Sequence, residues 1–297
     1  MTAQTLQTRT RPPALELRPD EVFADRFVLR SELGTGGIAV VWEAWDRIRF
    51  REVALKVIEV RSHRTTAIDR FGREALLSAR VRHPGVVRPL DAGTWNGVLW
   101  ISMPVVRGQN LRSYVRRERP DLDHALELSI DCCRAVSAVL DEGVLHRDIK
   151  TGNFLITAEG RVRLIDFGLA RTREHAALGT AAENLEGSPL YCPPERFRGV
   201  AEDERSEVWA LGITLYELLT GKVPVRGHDV AVVCANVLTA PIAPPSSHDP
   251  AIPAALDELI LAMLDRNVEG RPADVHVVRA ALEAIAAFQF AAPSYAA

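Results

Sequence analysis

Lysine is almost missing from this 297-residue chain: only Lys56, Lys150 and Lys222 stand among 36 basic residues, the rest being arginine. A coding bias toward arginine explains the excess. The three exceptions then mark places where a compact ammonium on a flexible stem serves better than a planar fork. Cysteine is scarce too, with four residues, Cys132, Cys133, Cys192 and Cys234. They form no CxxC pair and have no histidine at metal-site spacing, which argues against a disulfide scaffold or a zinc site and fits reduced, intracellular thiols. No apolar run approaches the roughly 18 residues needed to span a bilayer. The N-terminal stretch lacks the apolar segment of a secretory signal, which leaves a cytoplasmic location as the expectation. An excess of charge is lacking as well. A formal net charge of −3 offers no global attraction for nucleic acid or a membrane surface. The local arginine cluster RSYVRRER at 112–119 reads as a solvated helix face, because acidic residues intersperse and follow it.

What the chain does have is a mixed composition, 47% hydrophobic and 25% charged, at a length that can bury a large core. Residues 1–23 read as a flexible leader, with Pro12 and Pro13 opposing a helix. From 24 to 103 the pattern is strand-like: FVLRSEL at 27–33, IAVVWEAWD at 38–46, REVALKVIEV at 51–60 and GVLWISMPVV at 97–106. VVRPLDAG suggests a further strand, and one helix is expected over 68–81. Pro104 sits where the sheet ends and marks a linker over 104–107. From 108 to 290 the pattern turns helical, with long apolar helices expected at 126–143 and 206–221, each stopped by a glycine, and further helices at 255–265 and 277–288. Residues 291–297 read as a tail. Strands first and helices second imply an α+β fold of two lobes.

Three signals carry chemistry. LGTGGIAVV at 33–41 places Gly34, Gly36 and Gly37 between two strands, where bare backbone can approach phosphate oxygens. It has neither the βαβ context of a dinucleotide fingerprint nor the GKS or GKT ending of a P-loop, and a plain glycine-rich hairpin would look the same. In VALK at 53–56, Lys56 falls on a buried strand, where an unpaired ammonium is costly and needs acidic or phosphate partners. Glu74, on or near the apolar face of the following helix, is the natural candidate, although a purely structural pair would satisfy both. The decisive signal is HRDIKTGN at 146–153 followed by IDFG at 165–168. Phosphoryl transfer needs a carboxylate at the attacking hydroxyl, oxygen ligands for Mg²⁺ and positive charge over the transferring group. Asp148, Asn153, Asp166 and Lys150 supply that set.

With those motifs in order, residues 24–290 resemble the eukaryotic-type (Hanks-type) serine/threonine protein kinases, of the kind also found in bacteria. The resemblance implies a bilobal kinase fold, a small antiparallel-sheet lobe with one main helix over a larger helical lobe. It implies ATP and Mg²⁺ (or Mn²⁺) as cofactors and protein serine or threonine hydroxyls as acceptors. Leu33, Gly34, Thr35, Gly36, Gly37, Ala39 and Val41 would cover the nucleotide. Ala54, Met103 as gatekeeper, Val106 in the hinge and Leu155 would line its base. Lys56, held by Glu74, would grip the α- and β-phosphates. Asp148 would accept the hydroxyl proton with Lys150 near the γ-phosphate, while Asn153 and Asp166 would hold the metal. Arg147 would receive a phosphate from the activation segment, with Thr180 first and Thr172 second as autophosphorylation sites. Glu195 would pair with Arg271. An upstream kinase or regulatory partner, and a transient homodimer for trans-phosphorylation, are further expectations, whereas nucleic acid and a membrane span are not.

Four departures stand out. Ala39 replaces the third glycine of the loop, Thr151 and Gly152 replace a proline and an acidic residue, PPE replaces APE, and Glu207 replaces an aspartate in SEVWALG. Glu207 matters most, because its extra methylene has to fit if it is to hold the catalytic-loop backbone. It leaves room for an ATP-binding scaffold that transfers nothing. A kinase-fold enzyme acting on a small molecule is the other alternative, opposed by the segment through PPE and the helix after it.

Overall fold

Alternation of buried and exposed side chains turns the first described segments into one antiparallel sheet. The structure is a computed structural model, and it describes residues 17–35, 39–59, 79–166, 171–172 and 188–291. The strands are β1 (Val22–Phe23), β2 (Phe27–Thr35), β3 (Ala39–Asp46), β4 (Arg51–Glu59), β5 (Asp91–Trp95) and β6 (Val98–Met103), in the order β1-β2-β3-β4-β6-β5. One face carries Phe27, Leu29, Trp42, Leu55 and Trp100, which pack together as a hydrophobic core. Side chains directly opposite one another in an antiparallel pair share a face. The register therefore puts Gly34, Val41, Lys56 and Ile101 in one row and Ala54 with Met103 in the next, on the face opposite that core.

Two sequence expectations shift here. The sheet begins earlier than expected, because Val22 pairs with Val28 and Phe23 is fully buried. Residues 22–23 therefore belong to the sheet and not to the leader, since a phenyl ring in that core stabilises more than a solvated chain end. VVRPLDAG is a strand only from Asp91; before it, Val86 makes a single parallel bridge to Leu164. The helix expected over 68–81, and with it Glu74, lies outside the described residues apart from its last turn.

The second lobe is built on helices. They are α1 (Leu111–Glu118), α2 (Leu122–Leu140), α3 (Pro194–Phe197), α4 (Glu204–Thr220), α5 (Val230–Thr239), α6 (Ala254–Met263) and α7 (Val275–Ala291). Asn110, Asp121, Asp203 and Asp229 cap α1, α2, α4 and α5 by accepting backbone N–H bonds, which satisfies donors the helices cannot. Helix α4 is buried nearly all round, with Trp209 and Tyr216 at its centre. Gly212 lets α6 approach: a Cβ there would meet Leu264 Cδ2 at 2.9 Å. Short strands β7 (Gly108–Asn110), β9 (Phe154–Thr157) and β10 (Val162–Leu164) form a small sheet in the order β10-β9-β7, and β8 (Val144–Leu145) pairs with β11 (Arg171–Thr172). The catalytic motifs lie between β8 and β11. No described helix is long and apolar enough to cross a membrane.

Candidate active site

The loop between β8 and β9 is held rigid by bonds at almost every residue. His146 is fully buried; burial lowers its pKa, and its Nδ1 accepts the Asp148 N–H at 3.3 Å. Arg147 takes the left-handed conformation, φ 66°, which a non-glycine residue adopts only when its surroundings impose it. Asp148 follows. Its Oδ2 accepts from Lys150 Nζ at 2.5 Å and from Asn153 Nδ2 at 2.9 Å. Asn153 Nδ2 also donates to the Asp148 carbonyl at 2.8 Å. Both bonds use the amide nitrogen, so Asn153 Oδ1 remains as an oxygen donor for a hard cation.

Asp166, the second residue expected to hold metal, follows β10. The Ile165 N–H donates to the Asn153 carbonyl at 2.8 Å, tying the two segments together just before Asp166. Asp166 also has positive φ, 64°, and its carboxylate accepts from the ammonium of Lys56 on β4. That ammonium and carboxylate are the sheet's and the helical lobe's contributions to one charged cluster. The segment that leads into β5 is anchored to β10: Leu164 N–H donates to the Gly85 carbonyl at 2.7 Å, and Val87 N–H to the Leu164 carbonyl at 2.9 Å.

These positions fit nucleotide and Mg²⁺. Magnesium uses one or two protein oxygens plus substrate phosphates instead of an all-protein cage. Of the other nucleotide-lining candidates, Leu33, Gly34 and Thr35 end β2, Ala39 and Val41 lie on β3, Ala54 pairs with Met103, and Leu155 sits opposite Asn110 on β9. Val106 follows Met103 in the irregular link before β7. Gly36 and Gly37 lie outside the described residues.

Glu207 fits in spite of its extra methylene. From α4 its Oε1 accepts the Arg147 N–H at 2.8 Å, while Oε2 has no hydrogen-bond partner among the described residues. Burial pushes its carboxyl up to about 7 from an ordinary 4.5. The expected pair Glu195–Arg271 is present as a buried two-bond fork, 2.8 Å in each arm, with Ser206 Oγ donating to Glu195 at 2.6 Å.

Two clusters were not visible in the sequence. Glu202 bridges Arg147 and Arg196, all three buried. Glu202 lies in AEDERSE, a charge run that reads as solvated surface, and no periodicity marks one member as buried. The second cluster joins Thr151, Tyr191, Glu217 and Arg112: Thr151 Oγ1 donates to Glu217 at 2.7 Å, Tyr191 OH donates to the same oxygen, and Arg112 reaches Tyr191 OH at 2.9 Å. Thr151, a departure from the resembled pattern, is thereby tied to α4. The Arg112 end of RSYVRRER is therefore only partly a solvated face, since its side chain turns inward to this cluster.

Comparison with known proteins agrees with this arrangement. The protein kinase domain family matches residues 27–283, and the chain belongs to it. Among its relatives are the serine/threonine-protein kinases PknB of Mycobacterium tuberculosis, 38% identical over 258 residues, and of Mycobacterium leprae, 37% identical over 255 residues. Each alignment covers 84% of this chain but 41% of the relative, so the chain spans about two fifths of their length. The resemblance to bacterial serine/threonine kinases thus holds over nearly the whole sequence.

Proposed function

We propose that the chain transfers the γ-phosphate of ATP to serine or threonine hydroxyls of proteins. One observation carries this reading: Asp148 is held by Lys150 and Asn153, and the Asn153 carbonyl accepts from Ile165 N–H just before Asp166, which is itself joined to Lys56. In the reaction the acceptor oxygen forms a bond to the γ-phosphorus while the bond from that phosphorus to the ADP oxygen breaks. Asp148 orients the hydroxyl and takes up its proton. Lys150, already at the carboxylate, lies where it can meet charge on the transferring group. Lys56 holds the α- and β-phosphates, and Glu74 is proposed as its second partner. Asn153 and Asp166 would hold Mg²⁺, which would supply positive charge against that developing on the phosphate oxygens.

The same reading makes the chain a cytoplasmic enzyme, where ATP and protein acceptors are available. It also makes Thr180, and then Thr172, the expected sites of autophosphorylation through a transient pair of copies or by an upstream kinase. Incubating the purified chain with Mg²⁺ and γ-labelled ATP tests it. Phosphoserine or phosphothreonine on the chain or on a generic protein substrate, absent with Asp148→Asn, supports transfer. ATP binding without any transfer from either protein would establish a non-catalytic scaffold instead.

A further inference from the structure

Arg147 precedes the catalytic aspartate, and both polar groups of its backbone are held by side chains. Its N–H donates to Glu207 at 2.8 Å, and its carbonyl accepts from Arg196 Nη2 at 3.1 Å. Its guanidinium donates to one oxygen of Glu202, and the Arg196 guanidinium donates to the other. Relative exposure is 8% for Arg147 and 6% for both Arg196 and Glu202. Two guanidinium groups buried this close repel each other and lose their hydration, so an anion between them is a physical requirement. Glu202 is that anion. For Arg196, burial lowers the pKa, but Glu202 together with Cys192 and Glu207 outweighs burial and raises it, so the guanidinium stays charged.

The chain is folded to deliver this carboxylate. Helix α3 presents Arg196, and Gly199, at φ 68°, reverses the backbone. The Val200 N–H closes the turn on the Glu195 carbonyl at 2.9 Å. Asp203 then starts α4, leaving Glu202 between the turn and the helix, directly over Arg147 and Arg196.

We propose that Glu202 is a positioning residue of the phosphoryl-transfer site, supplying from within the chain the negative charge that Arg147 requires. On this view the loop carrying Asp148 is ordered without a phosphate on the segment between Asp166 and Glu195. The inference rests on the kinase reading above and concerns its regulation. The resemblance implied an arginine free to receive a phosphate; here its Nε is committed to a buried carboxylate, and an incoming phosphate has to compete with it.

The experiment compares four forms of the full chain: wild type, Glu202→Gln, Glu202→Asp, and Thr172→Val/Thr180→Val, which removes the threonines from the activation segment. Initial rates with a generic protein substrate give kcat and the KM for ATP, and mass spectrometry records each preparation's phosphorylation. The double threonine variant is expected to keep kcat within about threefold of wild type. Glu202→Gln is expected to lose kcat by about tenfold or more while KM for ATP changes less than about threefold, with part of the loss recovered in Glu202→Asp. Loss of activity in the threonine variant as deep as in Glu202→Gln, or full kcat in Glu202→Gln, would overturn the proposal. If Glu202→Gln does not fold, the threonine variant decides alone. Hydrogen exchange separates this inference from the kinase reading. Should the wild type transfer nothing, faster exchange at the Arg147 and Asp148 amides in Glu202→Gln still supports positioning, and unchanged exchange refutes it.

Discussion

Lys56 and Asp166, separated by 110 residues in the chain, are joined by an ion pair that connects the sheet to the helical lobe. Neither group is fully buried, at 12% and 35% side-chain exposure, so nucleotide phosphates and a metal can reach both. Each is expected to be needed in a different way. Lys56→Met should weaken ATP binding and lower kcat/KM by roughly 100-fold or more, as for loss of one preorganised charge. Asp166→Asn should lower kcat at least as much and shift the Mg²⁺ titration to higher concentration. Rates measured across ATP and Mg²⁺ series check both, and an unchanged Mg²⁺ titration in Asp166→Asn would remove it from the metal site.

Glu207 makes stability depend on pH in an unusual direction. Its carboxyl is raised by burial to about 7, so between its ordinary 4.5 and that value the folded chain holds a proton that the unfolded chain has released. Raising pH through that window therefore destabilises the fold, by about 1–3 kcal/mol for this group. Glu207→Gln keeps an acceptor for the Arg147 N–H and cannot ionise. Urea midpoints near pH 5 and near pH 7.5 should fall more steeply with pH for wild type than for the variant. Equal slopes would show that Glu207 does not titrate there.

Glu195 behaves in the opposite sense. Burial opposes its ionisation, but the bonds from Arg271 and Ser206 outweigh burial and lower its pKa. The stability it contributes is present above its ordinary 4.5 and is lost as pH falls through the lowered value. Arg271→Met leaves a buried carboxylate without its fork and should cost about 3–5 kcal/mol near neutral pH. It also removes the Arg271 guanidinium from above the Trp209 ring, 5.1 Å from its centroid. Urea unfolding at neutral pH and at about pH 4 should show the gap between variant and wild type narrowing in acid.

Tyr191 is pinned between Thr151 and Glu217. Burial first, and then the Glu217 carboxylate, pushes its hydroxyl up to about 12, so it acts as a neutral donor. Tyr191→Phe removes one bond to Glu217 while Thr151 keeps another, and should cost about 1–2 kcal/mol in unfolding free energy. Thr151→Ala in the same background should cost more than it does alone, because Glu217 then loses both hydroxyl donors; a double-mutant cycle measures that coupling.

Most of the sheet was legible because its strands alternate and carry β-branched residues, as in REVALKVIE, and the buried helices because they are apolar over many turns. Phe23 was missed because a two-residue strand has no period. Helix α1 was legible as the RSYVRRER helix face, whereas α5 was not seen, because VAVVCANVLT is short, apolar and rich in valine and shows no amphipathic helical period. At the candidate site, the meeting of Asp148, Lys150 and Asn153 was legible because they stand in one short motif, with Asp166 in the next. Arg196, Glu202 and Glu217 were not, because a buried charge has the same one-letter appearance as a solvated one.

The sequence by itself determined the residue types the chemistry requires, their order, and the division into strands followed by helices. These are local properties, set by side-chain period, backbone freedom at glycine and the donor chemistry of a few short motifs. Only the tertiary structure decided which charges meet. It joined Lys56 to Asp166, put Glu207 under the Arg147 amide, and placed Glu202 between two guanidinium groups. The physical reason is that the strength and protonation of a charged group depend on the partners and burial that distant segments bring to it, and neither is encoded where the residue stands in the chain.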